Sequence, residues 1–397
     1  MLFTLEALNA REGDCLILHY GQAGDPGLIV IDGGPTKTYE ESLKPRLKQL
    51  KDRLAPGAAL PIDMLMVTHV DLDHINGVLA WTKELEDDHD ADRPLPCDVQ
   101  TLWHNSFDDA GLADPAGLLA ELTREPGVPL EPQLLPAAVG EQEHGSLVLA
   151  QVKEGRTLRQ RAQKLGWPFN TGFRGLVQAP ARGKKTVGWG DDLTLTVLSP
   201  QAARLAKLQA EWVKKIEELR QQGKLTTPAA RAEAAAKYAD NSVFNLSSIV
   251  VLAEAGGKKM LLTGDARGDH ILEGLKGAGL RSEGEVFQVD VLKLPHHGSQ
   301  ANCSLELFQS IHADHYVISA NGKHGNPDSP TLEWLFEARP SAAFTLWLTN
   351  REGEEGLGPR LKKFFAAKKG THPRVKVKFR DERARSLKVD LLEAVSY

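Results

Sequence analysis

The run His69-Val70-Asp71-Leu72-Asp73-His74 puts four side chains able to bind a metal within six residues, just after the apolar stretch Met64–Val67. Residues two apart on an extended chain share a face, so His69 and Asp71 can serve one ion. The turn that follows aims Asp73 and His74 at a second. Imidazole with carboxylate and no thiolate suits zinc, manganese or iron. The competing reading is an acidic turn capping a helix, with Asp73 as the N-cap. Three other segments weigh against it. Val30-Ile31-Asp32-Gly33-Gly34 and Leu261-Leu262-Thr263-Gly264-Asp265 each end an apolar stretch on an aspartate. Leu292-Lys293-Leu294-Pro295-His296-His297-Gly298-Ser299 ends one on paired histidines. A single strand-end aspartate is ordinary turn chemistry. Four apolar stretches that each deliver Asp or His are not.

These residues need strands to deliver them. Short apolar runs predict strands at Leu2–Leu8, Cys15–Tyr20, Leu28–Ile31 and Met64–Val67, and helices from Tyr39 to about Arg53 and from about Asp73 to Glu86. The His69 cluster therefore sits on a strand–turn–helix unit, where ligands of open α/β sheets gather. From His89 to about Gly188 the pattern weakens into Asp/Pro/Gly-containing segments, with a short strand Val99–Leu102 and a helix Thr157–Leu165. Leu193–Leu198 predicts a strand. Leu205, Leu208, Trp212, Ile216 and Leu219 then mark an amphipathic helix within a helical insertion over 200–240. Ser248–Glu254 and Lys259–Thr263 predict a hairpin around Gly256-Gly257, followed by strands Val289–Leu294, His315–Ser319 and Ala343–Leu348. Helices Pro330–Ala338 and Pro359–Ala367 and a closing hairpin within Val375–Glu393 complete the chain. Strands at both ends with helices between them predict two sheets enclosed by helices, an α/β class in one domain spanning 1–397.

Composition sets wider bounds. The net charge of −5 gives no global attraction to nucleic acid or membrane. Cys15, Cys97 and Cys303 form no CxxC pair and suggest no disulfide framework, which fits a reducing compartment. The first residues have no basic start followed by an apolar core, and no apolar run reaches the roughly 18 residues of a membrane span. The expected location is the cytoplasm.

Taken in order, Asp32-Gly-Gly, Thr68-His-x-Asp-x-Asp-His-x-x-Gly77, Thr263-Gly-Asp265 and Pro295-His-His-Gly-Ser299 resemble the metallo-β-lactamase-fold hydrolases. The likeness is to the branch typified by the hydrolase domain of ComEC-type DNA-uptake channels. There too Asp stands where many relatives have a second His, as Asp71 does here. Gly13-Asp14 and Asn245-x-Ser247-Ser248 also resemble that branch. The likeness covers residues 1–85 and about 240–335. It implies a four-layer αββα sandwich and a dinuclear centre of divalent ions, zinc first and manganese second. His69 and Asp71 would bind one ion, Asp73 and His74 the other, and Asp265 would bridge them. Asp32 would orient the ligands. His297 is the first choice for the last ligand and His296 the next. His104 is the candidate for an intervening histidine, with His144 as its alternative.

The mechanism so implied is attack on phosphorus or a carbonyl carbon by a hydroxide shared between the ions, with Asp73 and Asp265 central to it. Relatives carry Gly-His-Pro where this chain has Gly325-Asn326-Pro327. Asn326 can donate a hydrogen bond but is no acid near neutral pH, so either His324 compensates or the site binds without proton transfer. Lys293, Ser299, Asn321 and Lys323 fall near the expected rim, where they could hold an anionic substrate or serve as solvated loop residues. The resemblance favours a phosphodiester, including nucleic acid. A basic excess from Lys362 to Arg380 and the tryptophans 103, 167, 189 and 212 would suit phosphate contact and base stacking. A small ester, lactone or amide is the second substrate class. A third reading is a metal-stabilised scaffold binding a protein partner, or a second copy, through the 201–240 helices.

Overall fold

A computed structural model describes residues 1–105, 141–203, 221 and 248–397, with the side chains of 141–152 left aside. The expected insertion at 200–240 therefore lies almost wholly outside the described residues. Strands run in the order β1 (Leu2–Leu8), β2 (Leu16–Gln22), β3 (Asp25–Ile31), β4 (Leu60–Ile62), β5 (Met64–Val67), β6 (Cys97–Val99), β7 (Leu102–His104) and β8 (Lys185–Trp189). They continue as β9 (Leu193–Ser199), β10 (Val250–Ala255), β11 (Lys258–Leu262), β12 (Phe287–Lys293), β13 (Ile311–Ile318), β14 (Thr345–Leu348), β15 (Lys376–Phe379) and β16 (Ser386–Asp390). The main helices are α1 (Lys44–Lys51), α2 (Leu72–Asp90), α3 (Glu141–Lys164), α4 (Gly268–Gly277), α5 (Leu305–Ser310), α6 (Ser329–Ala338) and α7 (Leu357–Lys368).

The strands build an α/β architecture around two large sheets, ordered β16-β1-β2-β3-β5-β7 and β15-β14-β13-β12-β11-β10-β9-β8. Alternation along each strand explains the layering. On β5, Met64 and Met66 pack with Leu195, Val251 and Val291 of the other sheet. Leu65 and Val67, on the opposite face, pack with Leu47, Val78 and Leu158 of α1, α2 and α3. The outer face of the second sheet does the same with α4 to α7 through Ile271, Phe308, Leu335 and Leu361. The order is thus helices, sheet, sheet, helices, with apolar cores between successive layers.

Strand direction positions the site. β3, β5 and β7 are mutually parallel, and so are β11 to β15. Their carboxyl ends carry Asp32, His69 and His104 from one sheet, and Asp265 and His297 from the other.

Three expectations are corrected. The closing hairpin does not form: β15 pairs with β14, and β16 crosses to pair with β1 in the other sheet. The segment read as strand Val99–Leu102 breaks into β6, which joins β4 in a separate two-stranded ribbon, and β7, which joins β5. Lys185–Trp189, read as irregular, is an edge strand whose residues alternate between exposed and half-buried. No helix among the described residues is long and apolar enough to cross a membrane.

Candidate metal centre

Asp32 is the keystone of the turn. It sits at φ 56°, a left-handed conformation that costs a non-glycine residue about 1–3 kcal/mol. Three bonds hold it there. Its carboxylate accepts from the Thr68 amide at 2.8 Å, the Thr68 hydroxyl at 2.7 Å and His74 Nδ1 at 2.9 Å. The glycines explain how β3 and α2 come close enough for this. A Cβ on Gly77 would lie 1.9 Å from the Gly33 carbonyl oxygen, and one on Gly33 would lie 2.4 Å from the Val78 amide nitrogen. The Asp-Gly of one motif and the His-x-x-Gly of the next are two halves of one backbone contact. Asp71, and not Asp73, occupies the N-cap of α2, and it makes no side-chain cap bond. The capping reading therefore accounts for neither carboxylate.

Bond directions fix the histidine tautomers. Thr68 Oγ1 donates its proton to Asp32, so it accepts from His69 Nδ1 at 3.0 Å. His74 Nδ1 donates to Asp32. His297 Nδ1 donates to the Ser319 carbonyl at 3.0 Å. His296 Nδ1 donates to Asn302 Oδ1 at 2.8 Å, because the Asn302 amide group donates to the Asp265 carbonyl at 2.7 Å. In each ring Nε2 is left for another partner, and all four point at Asp265. Its Oδ1 lies 3.3 Å from His74 Nε2. Its Oδ2 lies 3.5 Å from His297 Nε2, 3.6 Å from His296 Nε2 and 3.9 Å from His69 Nε2. Asp73 approaches His297 Nε2 at 3.3 Å, and Asp71 approaches His69 Nε2 at 3.4 Å. The Nε2 atoms of His69, His74 and His297 and Asp265 Oδ1 are buried and make no hydrogen bond.

With the imidazoles neutral, the buried charges do not balance. Asp14, Asp32 and Asp265 are fully buried and Asp73 is partly so, whereas Lys293 is the one lysine buried among them within the described residues. In the metal-free chain the carboxylates compensate by holding protons on the rings. Burial opposes a charge on His74, but Asp265, Asp73 and Asp32 outweigh it and raise its pKa well above the ordinary value. Burial likewise opposes a charge on His297, and Asp265 and Asp14 push it up to about 10. For Asp265 and Asp73 burial favours the acid form, yet His74 and its neighbours hold both carboxyls below the usual range. Anchored rings, orphaned lone-pair positions and excess buried carboxylate are what a cation site requires. Two groupings have ligand spacing without competing bonds, His69–His74–Asp265 and Asp73–His74–His297. Two more include Asp14, but Lys293 already neutralises that carboxylate.

His296, at the cluster's edge and about a third exposed, falls outside these groupings, as does His104. His104 pairs in register with Val67 and packs toward the outer helices, where a Cβ on Gly155 of α3 would lie 3.3 Å from its Nε2. Burial, with Arg159 nearby, pulls its pKa down to about 4. His144 lies in α3 where side chains are outside the described residues.

Of the expected rim, Lys293 must be corrected. It is fully buried, its ammonium pairs with Asp14, and it cannot meet a substrate. Lys323 is partly exposed, but Glu12 holds its ammonium at 2.7 Å. Asn321 is half-buried and donates to Glu12 at 3.4 Å, and Ser299 is half-buried. Asn326 is buried on the loop whose Pro327 packs against Gly298, whereas His324 is exposed with its backbone tied to Glu355. Trp103 and Trp167 are buried in the cores and cannot stack on bases, and Trp212 lies outside the described residues.

Sequence reasoning gave no role to Asp14, Glu12, Ser319 or Asn302. Only Asp14 left a signal, as part of the Gly13-Asp14 pair between the first two strands. Ser248, whose hydroxyl accepts from the Asp265 amide at 3.2 Å, had stood only as part of a motif. A search of protein-family models finds no match for this chain, and a search of curated proteins finds none either.

Proposed function

We propose that this chain is a metal-dependent hydrolase of the metallo-β-lactamase fold, holding two divalent cations, zinc first, and acting on a phosphodiester, nucleic acid included. One observation carries the metal reading: anchored imidazoles converge their free nitrogens on a buried aspartate in a site with excess negative charge. His69 and Asp71 would hold one cation and Asp73, His74 and His297 the other, with Asp265 serving both. When bound, the cations would supply Lewis acidity and acidify water in the cleft.

The chain's own residues set the frame. Asp32, Thr68 and Ser319 fix the rings through Nδ1, so ligands need no reorganisation when charge develops. Asn326 can donate a hydrogen bond to a substrate oxygen but cannot protonate a leaving group. Substrates whose leaving groups depart as anions, such as nitrophenolates, should therefore turn over best.

A specific observation favours the small ester or lactone as a second reading. Both lysines expected to attract phosphate are neutralised within the protein, Lys293 by Asp14 and Lys323 by Glu12. The zinc-reconstituted protein should be assayed on bis-p-nitrophenyl phosphate and p-nitrophenyl acetate. Preference in kcat/KM for the diester supports the first reading. Preference for the acetate replaces it with the second, and no metal-dependent turnover of either contradicts the hydrolase.

A further inference from the structure

We infer that Asp14 and Lys293 form a buried positioning pair that holds Asp265 and His297 at ligand spacing, so that affinity for the cation at His297 depends on a pair that would not touch it. This rests on the metal reading above.

Both side chains are shielded from solvent, and the Lys293 ammonium pairs with Asp14 Oδ2. The same ammonium donates to the Gly264 carbonyl at 3.4 Å, one residue before Asp265. The Lys293 carbonyl accepts from the Thr263 hydroxyl at 2.8 Å, so residue 293 grips the Thr263-Gly264-Asp265 turn through its main chain and side chain alike. Asp14 reaches the other ligand: its Oδ1 lies 3.4 Å from His297 Nδ1, beside the bond that ring makes to Ser319. Ser319 closes the circuit by donating to the Gly13 carbonyl at 2.6 Å. Gly13 in turn is wedged against the Asp73 backbone, where a Cβ would lie 1.7 Å from the Asp73 carbonyl oxygen.

One ion pair thus ties the turn before β2, the end of β12 and the turn after β11 to three candidate ligands. A lysine beside a cation site is unfavourable unless it is neutralised, and Asp14 neutralises it. Asp14 spends its charge there and is not itself a ligand. Hydrogen-bonding partners of this kind, one layer behind the ligands, change metal affinity by about 10–100-fold when removed.

The test is zinc titration calorimetry on wild type and on the neutral pair Asp14→Asn with Lys293→Gln, with melting temperature measured beside it. Removing both charges together leaves no unpaired buried charge. The expected result is two zinc ions in wild type and at least 10-fold weaker binding of one of them in the variant. If the variant does not fold, Asp14→Glu keeps the charge while displacing the carboxylate, and the same weakening is expected. A lower melting temperature with both zinc affinities unchanged would mean a purely structural pair and would overturn the inference alone. No zinc in wild type would overturn the metal reading, and this inference with it.

Discussion

Among the described residues, two buried clusters of histidine and carboxylate stand out, and in only one of them do the free ring nitrogens converge. On β1 and β2, Glu6 accepts from His19 at 2.8 Å, from Arg46 at 2.9 Å and from Ser386. Arg46 also donates to the Tyr397 carbonyl at 2.8 Å. One carboxylate meets one guanidinium, and burial keeps His19 neutral by lowering its pKa. At the strand ends the balance is reversed: carboxylates outnumber the buried Lys293, and His74 and His297 are driven toward the charged form. Burial and charge are common to both clusters. What separates them is convergence, because the Nε2 atoms of the second cluster face one another across Asp265 with no hydrogen bond. A closed cluster pins elements together, whereas an open one has room in its bonding for a cation.

Substitutions should separate the two. Arg46→Ala leaves Glu6 as an uncompensated buried carboxylate and should cost about 3–5 kcal/mol of stability by denaturant unfolding, with zinc stoichiometry unchanged. A loss of zinc in that variant would merge the two clusters into one functional unit. Asp32→Asn removes the shared acceptor of Thr68 and His74, and should weaken zinc binding by about 10–100-fold with a smaller loss of stability.

A pH series tests the same contrast. His297, at about 10 in the folded metal-free chain, lies above its unfolded value, so its contribution to apo stability is full below about pH 6.5 and fades as pH rises toward 10. A cation must displace that proton. Zinc affinity measured in a metal buffer should therefore rise by at least about tenfold per pH unit between pH 7 and 9, and more steeply if His74 also gives up its proton, while apo melting temperature falls. A flat affinity would show that the ring is not protonated.

The smallest expected effect is at the rim. Glu12→Gln frees Lys323 and should lower KM for bis-p-nitrophenyl phosphate by up to about fivefold, since a partly exposed pair is worth no more than about 1 kcal/mol. KM for a neutral ester should not move.

The turns that carry the candidate ligands were legible because apolar runs and their polar terminal residues are local features. Met64–Val67 with His69 to His74, and Leu261–Leu262 with Asp265, stand where their spacing placed them. Lys293 was misread because a lysine after an apolar strand normally reaches solvent. Its burial is decided by Asp14, far off in the chain. The closing hairpin failed for a similar reason: the sequence between Phe379 and Ser386 permits a turn, but β1 offers Ser386–Asp390 a longer partner in the other sheet. His104 stands at a strand end as expected, yet it follows the alternation that turns Val67 toward the outer helices. That alternation could have been read from the sequence, since Trp103 beside it must face the core between the sheets.

The most direct test of the central claim is metal content per chain, by elemental analysis after zinc reconstitution, in wild type and in the double variant Asp73→Ala with His74→Ala. Close to two ions are expected in wild type and fewer in the variant, together with loss of bis-p-nitrophenyl phosphate turnover. No bound metal in wild type, with either zinc or manganese, would contradict it.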